Sequence, residues 1–248
     1  MKRVIIYGDI HGCLDELKAL REKLQIQKND IEISVGDILN KGPYLGHEMV
    51  RYVQEHHISV VMGNNEAKAI KQYRKYKKEG ESFLKTLRPF EIATAMSLQE
   101  EDVVFLEKLP YFLRIENLTV LHGGLLPGMR LAKLSEAEKK EITLIRYVNK
   151  ELHPIPWSDE HNRYKFWTDI YDGREGFIVS GHHPFEEPKI SKYAIDIDTG
   201  CVYGRKLTAV TFPITKKGVD TSKPQFVSQK AKKDYWHEYI YGVKSEEY

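Results

Sequence analysis

The chain has little cysteine, no long apolar run and no marked excess of either charge. Its two cysteines, Cys13 and Cys201, can form at most one bridge, which excludes a disulfide-stapled secreted scaffold. Their spacing is not that of a structural zinc site, so both read as small reduced core residues. No apolar stretch approaches the ~20 residues that a membrane span requires, and the mean hydropathy is −0.50, so no transmembrane helix and no membrane partner are expected. Val4-Ile5-Ile6-Tyr7 is too short for the apolar core of a signal peptide, and the expected location is the cytoplasm. The 38 Lys and Arg nearly balance the 36 Asp and Glu, a formal charge of +2, which argues against a dedicated electrostatic nucleic-acid binder. Hydrophobic residues make up 41% of 248, enough for a substantial core and too many for a disordered chain.

The first sixty residues alternate short β-branched runs with amphipathic helical patterns, the signature of βαβ units. Val4 to Tyr7, Ile31 to Val35 and Ile58 to Met62 read as buried strands. Leu14, Leu17, Leu20 and Leu24, and then Leu45, Met49, Val50 and Val53, give helices with one apolar face between them. Right-handed crossovers make the sheet at least partly parallel. From Glu66 to Leu109 the pattern is helical, with Pro89 as a break, and reads as an insertion. Strands return at Tyr111 to Ile115 and Leu118 to Leu121. A helix capped by Ser135 and Glu138 is expected to run to about Lys150, with strands at Phe177 to Ser180, Tyr193 to Ile197 and Leu207 to Phe212. Residues 1–213 are expected to form one domain, and 214–248 a C-terminal tail or arm.

The chemistry sits where strands end. Gly8-Asp9-Ile10-His11-Gly12, Gly36-Asp37, Gly63-Asn64-Asn65-Glu66, His122-Gly123-Gly124 and Gly181-His182-His183 each follow a strand, and ligands of open α/β sheets bind outside the carboxyl ends of the strands. The convergent set Asp9, His11, Asp37, Asn64, His122 and His182 mixes carboxylate, imidazole and amide donors. Such a set suits Mn, Fe or Zn better than Ca or Mg, whose sites are all oxygen. Six ligands fit two cations about 3.5–4 Å apart, a pair that activates water and clamps a phosphate. Asp37, midway in the order of ligands, is the natural bridge. Singly, Gly36-Asp37 is more often a turn and His122 a core histidine; it is the recurrence at five strand ends that carries the reading.

These blocks resemble those of the calcineurin-like metallophosphoesterases, phosphoprotein phosphatase branch, whose motifs read GDxHG, GDxxDRG, GNHE, HGG or HAG, and GH. The sequence is similar in particular to bacterial symmetrical diadenosine tetraphosphatases and to the phosphatase module of bacterial polynucleotide kinase-phosphatase, through Gly181-His182-His183-Pro184 and the block from Ile197 to Ala209. The likeness covers about residues 1 to 213. It implies an α/β fold of four layers, two mixed sheets flanked by helices, with a helical insertion. It implies that Asp9, His11 and Asp37 hold one metal and Asp37, Asn64, His122 and His182 the other, with a metal-bridging hydroxide attacking phosphorus directly. Two divalent ions are expected, Mn first, with Fe, Zn or Ni as alternatives.

The chain departs from that pattern where the family has Asp-Arg-Gly and this sequence has Asn40-Lys41-Gly42, and where the family His is Asn65. In the family that Asp orients that His, which helps protonate the leaving oxygen. An amide donates a hydrogen bond but delivers no proton, and Lys41 lacks the planar fork of Arg. Arg146, read as an exposed helical residue, Arg205 and His183 are the candidates for compensation. Asn65, Lys41, Arg146 and His183 are thus the catalytic candidates beside the ligands. Substrates with leaving groups that need little protonation follow: nucleoside polyphosphates, anhydrides or aryl phosphates ahead of alkyl esters such as phosphoproteins. The alternative is a degenerate phosphatase acting as a phosphate-ligand sensor or scaffold. Basic and aromatic residues interleave at Lys68 to Lys78 and at Lys230 to Lys233 with Tyr235, Trp236, Tyr239 and Tyr241, a pattern that grips single strands in some proteins. Glu79, Glu81, Glu238, Glu246 and Glu247 dilute it, so nucleic acid is not the favoured partner.

Overall fold

Side-chain alternation along β1 (Arg3–Tyr7) decides the architecture. Val4 and Ile6 pack with Ile33, Val120, Val179 and Ile195, while Ile5 and Tyr7 pack with Leu14, Leu17, Leu20 and Val53. A strand apolar on both faces must be covered on both; here one cover is a second sheet and the other a layer of helices. The computed structural model describes residues 2–155 and 163–241, the last three by backbone alone.

The first sheet combines β1 with β2 (Ile31–Ser34), β3 (Ser59–Val60), β11 (Lys206–Thr215), β12 (Gly218–Val219) and β13 (Gln225–Lys230). Its order is β12-β11-β1-β2-β3, with β13 pairing β11 on the edge away from β1. The first three strands run parallel and β11 antiparallel to β1. Helices α1 (Leu14–Leu24) and α2 (His47–Glu55) make the crossovers. Their apolar stripes bury Leu14, Leu17, Leu20, Met49, Val50 and Val53, each worth about 1.5–3 kcal/mol relative to exposure. The second sheet is β4 (Phe112–Ile115), β5 (Leu118–Leu121), β8 (Phe177–Ser180), β10 (Ala194–Asp196) and β9 (Lys189–Ile190), in that order. Its outer face carries Leu121, Ile178 and Ala194 against Ile142, Ile145, Phe166 and Trp167. The expected strand Ile58–Met62 shortens to Ser59–Val60 because Met62 N bonds Pro110 O rather than a strand neighbour. The insertion consists of α3 (Asn64–Glu79), α4 (Glu81–Leu84), α5 (Pro89–Ser97) and α6 (Glu100–Leu106). Pro89 opens α5, where its missing N–H costs nothing.

Two expectations are corrected. The helix expected to reach Lys150 is α7 (Glu136–Glu141), with the Ser135–Glu138 capping box in place. Gly123 N and Gly124 N take the carbonyl of Ile142 at 3.1 and 2.9 Å, so that oxygen is lost to helical bonding and the chain turns. Ile142 and Ile145 enter the core, and Arg146 stands in the loop just before the short strand β6 (Tyr147–Val148), which pairs with β7 (Lys165–Phe166). The second correction concerns the arm. Residue 213 falls inside β11, and β13 pairs with β11 from Lys206↔Lys230 to Thr211↔Gln225. Tyr235 is buried and donates its hydroxyl to Glu16 Oε1 at 2.7 Å. The open edge of β11 takes up a strand whose Lys, Ser and Gln conceal its pairing in the sequence. Residues 242–248, with Glu246 and Glu247, lie outside the described residues.

Candidate metal centre

The carboxyl ends of β1, β2, β5 and β8 and the N-terminus of α3 meet at one point between the sheets. Their residues are held in uncommon conformations: φ is +47° at His11, +49° at Asp37 and +79° at His182. Left-handed backbone at a non-glycine residue costs energy and concentrates at functional sites. Two glycines allow the blocks to touch. A Cβ at Gly181 would lie 2.1 Å from Asp9 Oδ1, and one at Gly63 would lie 2.3 Å from Asp37 Oδ1. Through these approaches Asp9 Oδ1 accepts from His182 N at 3.0 Å and Asp37 Oδ1 from Asn65 N at 2.9 Å.

Asp9, His11 and Asp37 form one group whose donor atoms lie within 4.8 Å of one another, and Asp37, His122 and His182 form a second. Asp37 belongs to both. Asn64 joins the second through Oδ1, 3.0 Å from His122 Nε2. All of these side chains except Asn64, which is half-buried, are buried. The histidine tautomers follow from their outer partners: His11 Nδ1 donates to Leu39 O at 3.0 Å and His122 Nδ1 to Val35 O at 2.9 Å, which leaves each Nε2 lone pair facing inward. His122 Nε2 then stands 3.3 Å from Asp37 Oδ1, and His11 Nε2 3.6 Å from Asp37 Oδ2 and 3.8 Å from Asp9 Oδ2. Lone pairs that converge in this way repel unless a cation lies between them. Asp9 Oδ2 and His182 Nε2 are buried with no hydrogen-bond partner, the mark of groups that await a ligand. The donor set therefore fits divalent cations.

Electrostatics agree. Burial, with the charges of Asp198 and Asp37, pushes Asp9 well above the usual carboxylate range. Burial alone would raise Asp37 as well, but a proton on His122, which Asp37 draws upward in turn, and the Lys41 ammonium hold it well below that range; a bound cation would take that proton's place. Burial and the neighbouring Lys41 ammonium lower His11 to about 3, so it presents a lone pair rather than a proton. Bound cations would relieve the carboxylate repulsion and hold both acids ionised.

Around this cluster the catalytic candidates take definite places. Asn65 Nδ2 donates to Asp37 Oδ2, and Asn65 Oδ1 accepts from Asn40 Nδ2 at 3.3 Å. Lys41 Nζ lies 3.2 Å from His11 Nε2 and 3.0 Å from Tyr203 OH. Arg146, expected on an exposed helix face, instead reaches His182 Nδ1 with Nη2 at 3.3 Å. His183 packs among Tyr147, Phe166 and Phe185, with ring centroids 4.7–5.6 Å away. Arg205 donates to Pro184 O at 3.3 Å. All six of these residues except Asn40 line one cleft of about 870 Å³ together with His11, Asp37, Asn64 and His182.

Sequence reasoning missed several members. Asp198 is buried in the cleft wall, accepts from Gly200 N at 2.9 Å and is pushed up to about 6 by burial; it follows β10 as the other blocks follow their strands, and that signal was present. Glu66 bonds the backbone N–H groups of Asp37, Leu39 and Gly63 at 2.7, 3.2 and 3.1 Å, a brace rather than a ligand. Phe90, Tyr203, Asp234 and Trp236 also line the cleft, and their distance in sequence gave no signal that they meet. Two members of the basic run in α3 are engaged internally: Lys68 pairs with Glu91, and Arg74 with Glu100 and Glu107. Among the described residues no helix is long and apolar enough to cross a membrane.

Two facing mixed sheets, with nitrogen and oxygen donors gathered at their strand ends around a shared carboxylate, define a metal-dependent phosphoester hydrolase. The chain belongs to the calcineurin-like phosphoesterase family, whose model matches residues 2–221. It is 27% identical to the bis(5′-nucleosyl)-tetraphosphatase PrpE (asymmetrical) of Oceanobacillus iheyensis, over 92% of this chain and 96% of that protein. It is 31% identical to the protein of the same name from Bacillus mycoides, over 91% and 96%. A crystal structure assigned to a diadenosine tetraphosphatase superposes with a TM-score of 0.73 at 27% identity, covering 92% of this chain and 93% of the other. The relatives' names specify asymmetrical cleavage, where the sequence motifs had suggested likeness to the symmetrical enzymes.

Proposed function

We propose that this protein hydrolyses dinucleoside polyphosphates, with Asp9, His11 and Asp37 holding one divalent cation and Asp37, Asn64, His122 and His182 a second. The observation that carries the reading is the pair of donor groups sharing Asp37 at the floor of a cleft walled by Lys41 and Arg146. Two cations bound there, with Mn the expected occupant, supply a reactive water at neutral pH and neutralise charge on the phosphoryl oxygens. The chain's own residues do the rest. Arg146 and Lys41 offer donors to the non-bridging oxygens as charge builds on them; Lys41 stays charged because Tyr203 and Asp37 outweigh the effect of its burial. Asn65 donates a hydrogen bond but has no proton to transfer. The bond from water oxygen to phosphorus forms as the phosphorus–oxygen bond to the leaving group breaks, and a polyphosphate departs as a stable anion where an alkoxide would not. The Asn40 and Asn65 substitutions and the names of the relatives thus support the same substrate class.

The test is incubation of the full chain with diadenosine tetraphosphate and Mn, followed by separation of products. AMP with ATP is the expected outcome; two ADP would place the cut at the centre, and no turnover of this or any simple phosphate ester would favour the sensor. Arg146→Ala is expected to lower kcat/KM about 30-fold, the worth of one charged hydrogen bond. Arg146→Lys should recover part of that loss, as steady-state kinetics on the same substrate would show.

A further inference from the structure

From the metal cluster the cleft continues past Lys41. Its far wall is aromatic and comes from three distant parts of the chain: Phe90 in α5, Tyr203 in the turn between β10 and β11, and Trp236 in α8 (Tyr235–Tyr241). Phe90 and Trp236 meet edge to face with centroids 5.0 Å apart, and Tyr203 and Trp236 lie 6.3 Å apart at 85°. Trp236 is only half-buried, unlike Trp167, which the core encloses completely. A large aromatic ring left open to a polar cleft is a surface for a ligand rather than core filling.

Charge arranges the same region along a line. Lys41 Nζ stands 5.8 Å from the centroid of Trp236 and 5.3 Å from that of Tyr203, yet 3.2 Å from His11 Nε2. One cation thus neighbours both the aromatic wall and the metal cluster. At the rim, Arg88 and Lys68 share the single carboxylate of Glu91, and Arg205 and Asp234 line the same cleft, so cations outnumber carboxylates there. A π face, a cation beside it and further cations at the rim match a flat base, its neighbouring phosphate and the remainder of an anionic chain.

We propose that the wall formed by Trp236, Tyr203 and Phe90 is a nucleobase site, in which the base stacks on Trp236 and the attached phosphates pass Lys41 toward the metal cluster. The site deepens the hydrolase reading and rests on it for the identity of the whole substrate, but base binding can be measured without turnover. Stacking on a single aromatic side chain changes affinity by roughly 5- to 150-fold on alanine substitution.

The experiment titrates ADP and, separately, pyrophosphate into the full chain with Mn present, for wild type, Trp236→Ala and Trp236→Phe, by calorimetry and by tryptophan fluorescence. ADP is expected to bind about 10-fold more weakly to Trp236→Ala relative to pyrophosphate, with most of the preference restored in Trp236→Phe. Nucleotide should quench a tryptophan signal that both variants lack. If Trp236→Ala fails to fold, Trp236→Leu carries the test, because it keeps apolar bulk and loses the π face. An unchanged ratio of ADP to pyrophosphate affinity overturns the site. A chain that binds ADP through Trp236 but leaves diadenosine tetraphosphate uncut supports the site and removes the hydrolase reading. A chain that cuts it with KM unaltered in Trp236→Ala does the reverse.

Discussion

Asp37→Asn is expected to reduce kcat on diadenosine tetraphosphate by about 10³-fold or more, since the change removes several kcal/mol of transition-state stabilisation at tenfold per 1.36 kcal/mol. Both oxygens of Asp37 face imidazole nitrogens: Oδ1 lies 3.3 Å from His122 Nε2 and Oδ2 3.6 Å from His11 Nε2. In the proposed site an amide would place an NH₂ group where one cation would sit and would withdraw the negative charge that two cations would share. The variant should still fold. Asparagine tolerates the left-handed φ of +49° better than most residues, and its carbonyl oxygen can accept from Asn65 N as Asp37 Oδ1 does now. Two readouts separate loss of metal from loss of structure. Bound metal should fall below two equivalents by elemental analysis. The stabilisation conferred by cations, about 2.7 kcal/mol per site at a hundredfold excess over Kd, should shrink in thermal scans with and without chelator. Activity that survives the substitution would belong to a contaminant and would remove the proposed site.

Asn65→His combined with Asn40→Asp is expected to raise the rate on alkyl phosphates by about 10²-fold, the lower end of what a positioned general acid contributes, with a smaller gain on aryl phosphates. The structure explains why the pair must change together. Asn40 is completely buried at a φ of +71°, its Nδ2 donates to Asn65 Oδ1, and its Oδ1 has no partner. A carboxylate placed there alone would face an amide oxygen, while a histidine at 65 alone would meet an amide free to present its donor side and would lack an anion to hold its proton. Each single variant should therefore gain little, and the coupling between them should be strongly non-additive. Parallel assays on an alkyl and an aryl monoester decide the matter: equal gains on both, or none on either, would mean that protonation of the leaving group does not limit this enzyme.

The legible parts of the molecule were those in which local sequence and local structure coincide. Val4 to Tyr7 reads as a doubly buried strand and is one; His122 and His182 stand out because each follows an apolar run and adjoins glycine. Arg146 was misplaced because its helix is stopped from a distance, by Gly123 and Gly124 claiming the carbonyl of Ile142. No pattern within residues 135–150 records that claim. The partnership of Phe90 with Trp236 is similarly invisible, being decided by how the insertion and the C-terminal helix fold over the same opening. Cys13 and Cys201 show the same limit: their spacing argues against a zinc site and says nothing of their proximity, yet their sulfurs and a Glu16 oxygen lie within 4.8 Å of one another. Among the described residues both remain thiols in the core, as expected.

The strand order has a consequence for how the protein is made. β1 is bonded on one side to β2, complete by Ser34, and on the other to β11, where Arg3 faces Pro213. A nascent chain emerging from the ribosome must therefore keep the second edge of its first strand open until nearly the whole sequence has been synthesised. Such long-range closure is slow and leaves an unpaired edge exposed to other chains in the meantime. His182 arrives late as well, so the second donor group stays incomplete on a partial product, whereas Asp9, His11 and Asp37 are present from the start. A premature stop after residue 213 would strip β13 from β11 and leave that strand's edge bare, a template for aggregation rather than a smaller working enzyme.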